Sequence, residues 1–147
     1  MRGTRAGLGL RLADGGNAMT IDTIATWHRL VAERDVGGLS ALIADDAVFH
    51  SPIVHRPQVG KALTQRYLTA AFHVFFNESF RYIREVVGER DAMLEFLVEI
   101  DGITINGVDM IKWNDRGQIV DFKVMLRPLK GIELIHQKMG ALLQAMP

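Results

Sequence analysis

The sequence predicts an α+β fold in one cone-shaped domain: a curved mixed or antiparallel sheet wrapped around N-terminal helices, with an extra C-terminal helix. Three observations carry this expectation. Apolar residues recur at helical spacing up to about residue 76, and from about residue 80 the period switches to two. Helices followed by a run of long strands is an α+β order. The length, 147 residues, suits one domain with a core large enough to need no staple.

The elements follow in order. Asp22 or Thr20 caps a first helix, in which Ile24, Trp27 and Val31 recur with Leu30 beside them. Asp35 opens a short second helix carrying Leu39, Leu42 and Ile43, ended by Asp45-Asp46. A short strand, 47–51, runs into Pro52, and Pro52 and Pro57 frame a loop holding His55 and Arg56. A third helix spans about 59–76, with Leu63, Tyr67, Ala70, Ala71, Val74 and Phe75 on its apolar side. Residues 80–88 read as a strand. In 93–101, Leu94, Phe96, Val98 and Ile100 alternate with more polar neighbours, the pattern of a half-buried antiparallel strand. Asp101-Gly102 and Asn114 to Gly117 are turns that bound strands 103–113 and 118–127. After Pro128, a final helix over about 131–145 carries Ile132, Ile135, Met139 and Leu142.

The first 18 residues differ from the rest, being rich in Gly and Arg without sustained periodicity. They read as a flexible N-terminal tail, with the domain over 19–147, and Met19 is a candidate natural start. Gly7-x-Gly9 follows no strand, so it is no phosphate loop.

Composition narrows the function classes. The 17 Lys and Arg balance 17 Asp and Glu, which leaves no electrostatic footprint for nucleic acid or an anionic membrane. No window approaches 18 consecutive apolar residues. The absence of cysteine excludes disulfides, thiol catalysis and Cys-based zinc sites. His50 and His55 flank Pro52, but no HxxxH or HExxH pattern accompanies them, and no metal site is expected. The expectation is a cytoplasmic domain without a cofactor, whose partners are an apolar small molecule and a second copy of the chain as a homodimer.

Alternation assigns the inward faces. In strand 103–113, Ile105, Gly107, Asp109, Ile111 and Trp113 share one face. If the apolar majority points inward, Asp109 goes with it. A carboxyl among apolar side chains has a raised pKa, because burial disfavours its charged form, and such groups serve as general acids or hydrogen-bond donors. Phe122, Val124 and Leu126 face inward from the last strand; in the first, Phe49 and Ser51 share one face, and Ser51 sits at the strand end where a cavity could reach it. Trp27, Ser51 and Asp109 are the candidate catalytic residues. Phe49, His55, Tyr67, Phe96, Ile111, Phe122 and Val124 are the candidate ligand-binding residues.

The run Trp27-His28-Arg29-Leu30-Val31, then Asp35, Leu39 and Ala44-Asp45-Asp46-Ala47-Val48-Phe49-His50-Ser51-Pro52, resembles the opening of the nuclear transport factor 2-like superfamily, with its cystatin-like fold. Gly107-Val108-Asp109-Met110-Ile111 and Gly117-Gln118-Ile119-Val120 extend the resemblance, which covers about 20–128. It points to the branch of ketosteroid isomerases and SnoaL-like polyketide cyclases. The isomerase pattern implies a protonated aspartic acid at Asp109, a helix tyrosine where Trp27 stands, and a base aspartate where Ser51 stands. An indole has no acidic hydroxyl and a lone serine is no base, so two of the three groups depart from that pattern. A SnoaL-like cyclase asks only for an apolar cavity and one acid, which Asp109 would supply. Three functions stay open: an isomerase or cyclase, a non-catalytic binder of an apolar ligand, and a homodimeric interaction domain with a filled cone.

Overall fold

The computed structural model of the protein describes residues 10–12 and 19–147. Gly7 and Gly9 lie outside the described residues. Strand β1 (Leu10–Leu12), within the proposed tail, pairs antiparallel with β2 (Met19–Ile21). Helix α1 (Thr23–Glu33) opens at Asp22, whose side chain accepts a 2.9 Å hydrogen bond from the Ala25 amide. It closes at Arg34 in the left-handed region. Its buried stripe is Ile24, Trp27, Leu30 and Val31, and the Thr23 hydroxyl donates to the Gly117 carbonyl, fastening the helix to the sheet.

The second helix is shorter than expected. A 3-10 turn leads into α2 (Leu39–Leu42), and strand β3 (Ile43–His50) starts at once. Asp45 and Asp46 therefore do not end a helix. They sit inside the strand, exposed, where its register against the last strand shifts between Ile43 and Val48. The extended backbone buries Ile43 and Ala44, while the shift turns the acid pair to water.

A two-residue strand β4 (Gln58–Val59) pairs with β3, and Gly60 leads into α3 (Lys61–Phe75). The buried side of α3 is Thr64, Leu68, Phe72 and Phe75 with Ala70, so Leu63 is exposed rather than on the inward face. Strands β5 (Arg81–Val87), β6 (Asp91–Ile100), β7 (Ile103–Trp113) and β8 (Ile119–Arg127) form a meander, and α4 (Leu129–Ala145) begins two residues earlier than expected. Asp101 and Gly102 both have positive φ, so β6 and β7 join through a two-residue turn that matches strand twist.

The sheet order is β4-β3-β8-β7-β6-β5, with β3 parallel to β8 and the other pairs antiparallel. It is a mixed, unclosed sheet in an α+β domain. The burial of β7 alternates strictly, with Ile105, Gly107, Asp109 and Ile111 inward. Two adjoining apolar clusters fill the concave side. One, around Trp27, lies under α1 and α3. The other, around Phe96 and Ile105, lies under α3 and α4. No helix among the described residues is long and apolar enough to cross a membrane.

Candidate active site

Asp109 lies inward in the middle of β7, 6% exposed. Its Oδ2 accepts a 2.6 Å hydrogen bond from the Tyr82 hydroxyl of β5, and that hydroxyl oxygen accepts 2.9 Å from the Trp27 indole Nε1 of α1. An indole N–H only donates. Tyr82 must therefore accept from Trp27, and its single proton goes to Asp109. The polarity of the chain is thus set at its helix end. When Asp109 is protonated, its proton belongs on Oδ1, because Oδ2 already accepts from Tyr82, and the residue lines a cavity.

Burial, partly opposed by the Tyr82 hydrogen bond, pushes the Asp109 carboxyl up to about 7. Tyr82 is raised well above its ordinary value, first by burial and then by the neighbouring Asp109 charge. So Tyr82 stays a neutral donor, while Asp109 is poised to give or take a proton near neutrality.

Two adjoining cavities lie on the concave side. The inner niche has a volume of about 30 Å³ and is walled by Asp109, Trp27, Phe80, Phe96 and Phe122, among others. Its walls are locked by ring contacts, with Trp27 5.0 Å from Phe122 and 5.5 Å from Phe72. A water needs roughly 10–15 Å³, so the niche admits one oxygen-sized group against Asp109. The outer chamber, about 210 Å³, opens between the 51–54 loop, α3 and α4. Ala71, Phe75 and Val124 border both.

The expected site residues divide between these spaces. Trp27, Phe96, Asp109, Phe122 and Val124 line the niche, whereas Phe49, Ser51 and Tyr67 line the chamber with Val124. Ser51 Oγ accepts from the amides of Ile53 and Val54 and so organises the chamber loop; it does not meet Asp109. Trp27 directs its N–H at Tyr82 rather than at the niche. Ile111 is buried in the core and His55 is exposed on its loop; neither lines these two cavities.

Tyr82 is the residue that sequence reasoning missed. Its strand is mostly exposed, and a register shift between Tyr82 and Arg84 interrupts the alternation that would have marked its face. The available signal was Phe80-x-Tyr82, two aromatics on one side just before that shift.

A profile of the SnoaL-like domain matches residues 24–122. The chain belongs to the SnoaL-like domain family of the nuclear transport factor 2-like superfamily. Among solved structures, this SnoaL-like domain is similar to a steroid delta-isomerase from Pseudomonas aeruginosa. That likeness has 39% identity and a TM-score of 0.79, over 84% of this chain and 90% of that one. A cystatin-like protein from Silicibacter pomeroyi follows at 34% identity and TM-score 0.74, over 81% and 83%. SalBIII, an epoxide hydrolase/cyclase-like enzyme of salinomycin pyran-ring formation, shares the fold at 17% identity and TM-score 0.58, over 71% and 88%. No curated protein matches.

Proposed function

We propose that this SnoaL-like domain binds an apolar carbonyl compound in its cone and moves a proton with Asp109, as an isomerase or cyclase does. The observation that carries this reading is the one-directional chain Trp27–Tyr82–Asp109, which spends Oδ2 of a carboxyl that lines the niche and leaves its other oxygen for a ligand. In its acid form, Oδ1–H donates to a carbonyl oxygen seated in the niche. In its ionised form, the same atom takes a proton from the carbon beside that carbonyl. Returning the proton to another carbon restores the carboxylate, and the net change is an isomerisation. Trp27 and Tyr82 act as positioning residues. The Ser51 hydroxyl proton, left over after its oxygen accepts two amides, is available to the outer end of the ligand. The 39% identity with a steroid delta-isomerase supports the reaction class.

The test is exchange of carbon-bound hydrogen. Small cyclic ketones are incubated with the protein in D2O and followed by mass spectrometry. Wild type should speed exchange next to the carbonyl, and Asp109→Asn should lose about 10²-fold or more. Equal rates in both proteins would leave the non-catalytic binder as the better account.

A second reading rests on the convex face of the sheet. There Val86, Met93 and Met125 are exposed along a groove between Arg84 and Arg127. Apolar side chains gathered in this way favour an interface, and a second copy of the chain is the partner we propose. Sedimentation should give a dimer, and Met125→Glu should shift it toward monomer.

A further inference from the structure

The niche is too small for more than a ligand's reacting end, so the rest of any ligand must lie elsewhere. We propose that the outer chamber holds that body, that the body is an apolar molecule of one or two rings, and that Gly140 keeps the space open for it. This inference rests on the small-molecule reading above but not on Asp109 chemistry.

Gly140 is the key observation. It lies inside α4, where glycine is unfavourable because it leaves the helix backbone unrestrained. Two other glycines are explained by close packing. A Cβ at Gly107 would stand 2.4 Å from Phe96 Cζ, and one at Gly131 would stand 2.9 Å from Ile105 Cγ1. A Cβ at Gly140 would meet nothing within 4 Å. Nor is Gly140 among the glycines with positive φ. Neither backbone shape nor close packing calls for glycine there. What the position borders is the chamber.

The walls indicate the ligand class. Ile135, Met139, Leu143 and Ile53 contribute apolar surface, and Ser51, Tyr67 and His136 are the lining residues that carry polar groups. Pockets of this make-up take apolar molecules oriented by one or two hydrogen bonds. A dry apolar cavity of about 150 Å³ accommodates benzene, so a chamber of 210 Å³ suits one ring or a compact pair. It lies below the roughly 300 Å³ at which drug-sized pockets begin. The wall itself is anchored. The Arg66 guanidinium on α3 donates to the carbonyls of Leu143, Met146 and Pro147, which ties down the end of α4. A ligand in the chamber would extend its oxygen toward Asp109 past Ala71, Phe75 and Val124, which line both spaces.

The test uses 2-naphthol as a two-ring probe, read by NMR shifts and fluorescence. Wild type should bind it, with shifts at Ser51, His136 and Met139. Gly140→Leu should weaken binding at least tenfold while melting at or above the wild-type Tm, because it removes a helix glycine where a Cβ meets nothing within 4 Å. Probe binding by wild type is scored separately from the exchange assay, so binding without exchange would fail the acid and leave the chamber standing. Failure of the chamber is thereby separated from failure of the acid. A four-ring steroid ketone should bind at least tenfold more weakly than the probe. The proposal is overturned by no binding at 1 mM, by unchanged affinity in Gly140→Leu, by shifts confined to Met93 and Met125, or by a steroid ketone binding as tightly as 2-naphthol.

Discussion

The two cavities on the concave side are built by opposite means. The niche around Asp109 is a gap left among interlocked rings, and its chemistry comes from one hydrogen-bond chain joining α1, β5 and β7. The chamber exists because α4 stands off from the 51–54 loop, and its chemistry is mainly shape. Burial acts differently in each. In the niche it raises a carboxyl pKa, while in the chamber it provides apolar wall. On the function proposed above, the site divides its work, with the niche tuning a proton and the chamber holding the body of the ligand.

The largest effect expected from this contrast is on pH-dependent stability. Asp109 titrates near 3.8 in the unfolded chain and at about 7 in the fold. Between these values the folded protein keeps a proton that the unfolded chain has released, so stability falls as pH rises from about 4 to 7 and then levels. At about 1.4 kcal/mol per pH unit, the loss is roughly 4 kcal/mol. Urea melts at pH 4.5, 6 and 8 should show Asp109→Asn lacking this loss. A parallel pH profile in both proteins would break the account of the niche.

Tyr82→Phe sharpens it. Removing the hydroxyl takes away the one interaction that lowers the Asp109 pKa, so the carboxyl should titrate above 7 in a carbon-13 NMR titration. The variant also leaves the Trp27 N–H without its partner, at a cost of about 1–3 kcal/mol. An unchanged or lower Asp109 pKa would show that the chain does not govern the acid.

The smallest effect belongs to the other end. Arg66→Ala frees the last turn of α4 and should cost about 1 kcal/mol. Amide exchange should quicken at Leu143 to Met146, while Asp109 still titrates at about 7. A shift in that titration would mean that the two cavities are not independent.

Much of this site was legible before folding, for reasons visible at single residues. Asp109 declares its face because β7 is regular, with Ile105, Gly107 and Ile111 at even spacing from it. Phe122 and Val124 follow the same rule in β8. Legibility ends where the backbone leaves its period. Asp45-Asp46 mark a helix stop by composition but lie in a shifted strand, and Leu63 fits the α3 stripe by spacing while Leu68 is the residue that packs. Tyr82 precedes a register shift in a mostly exposed strand and carries no alternating signal.

By itself, then, the sequence determined the order of the main helices and long strands, the α+β class and the inward direction of Asp109, because helix and strand periods are local properties of the chain. Only the tertiary structure decided which proton donor meets that acid and how the concave space is divided. Tyr82 lies 27 residues from Asp109 and 55 from Trp27. Such distances are closed by strand register and by the seating of α1 and α4 on the sheet, which depend on the packing of the whole core.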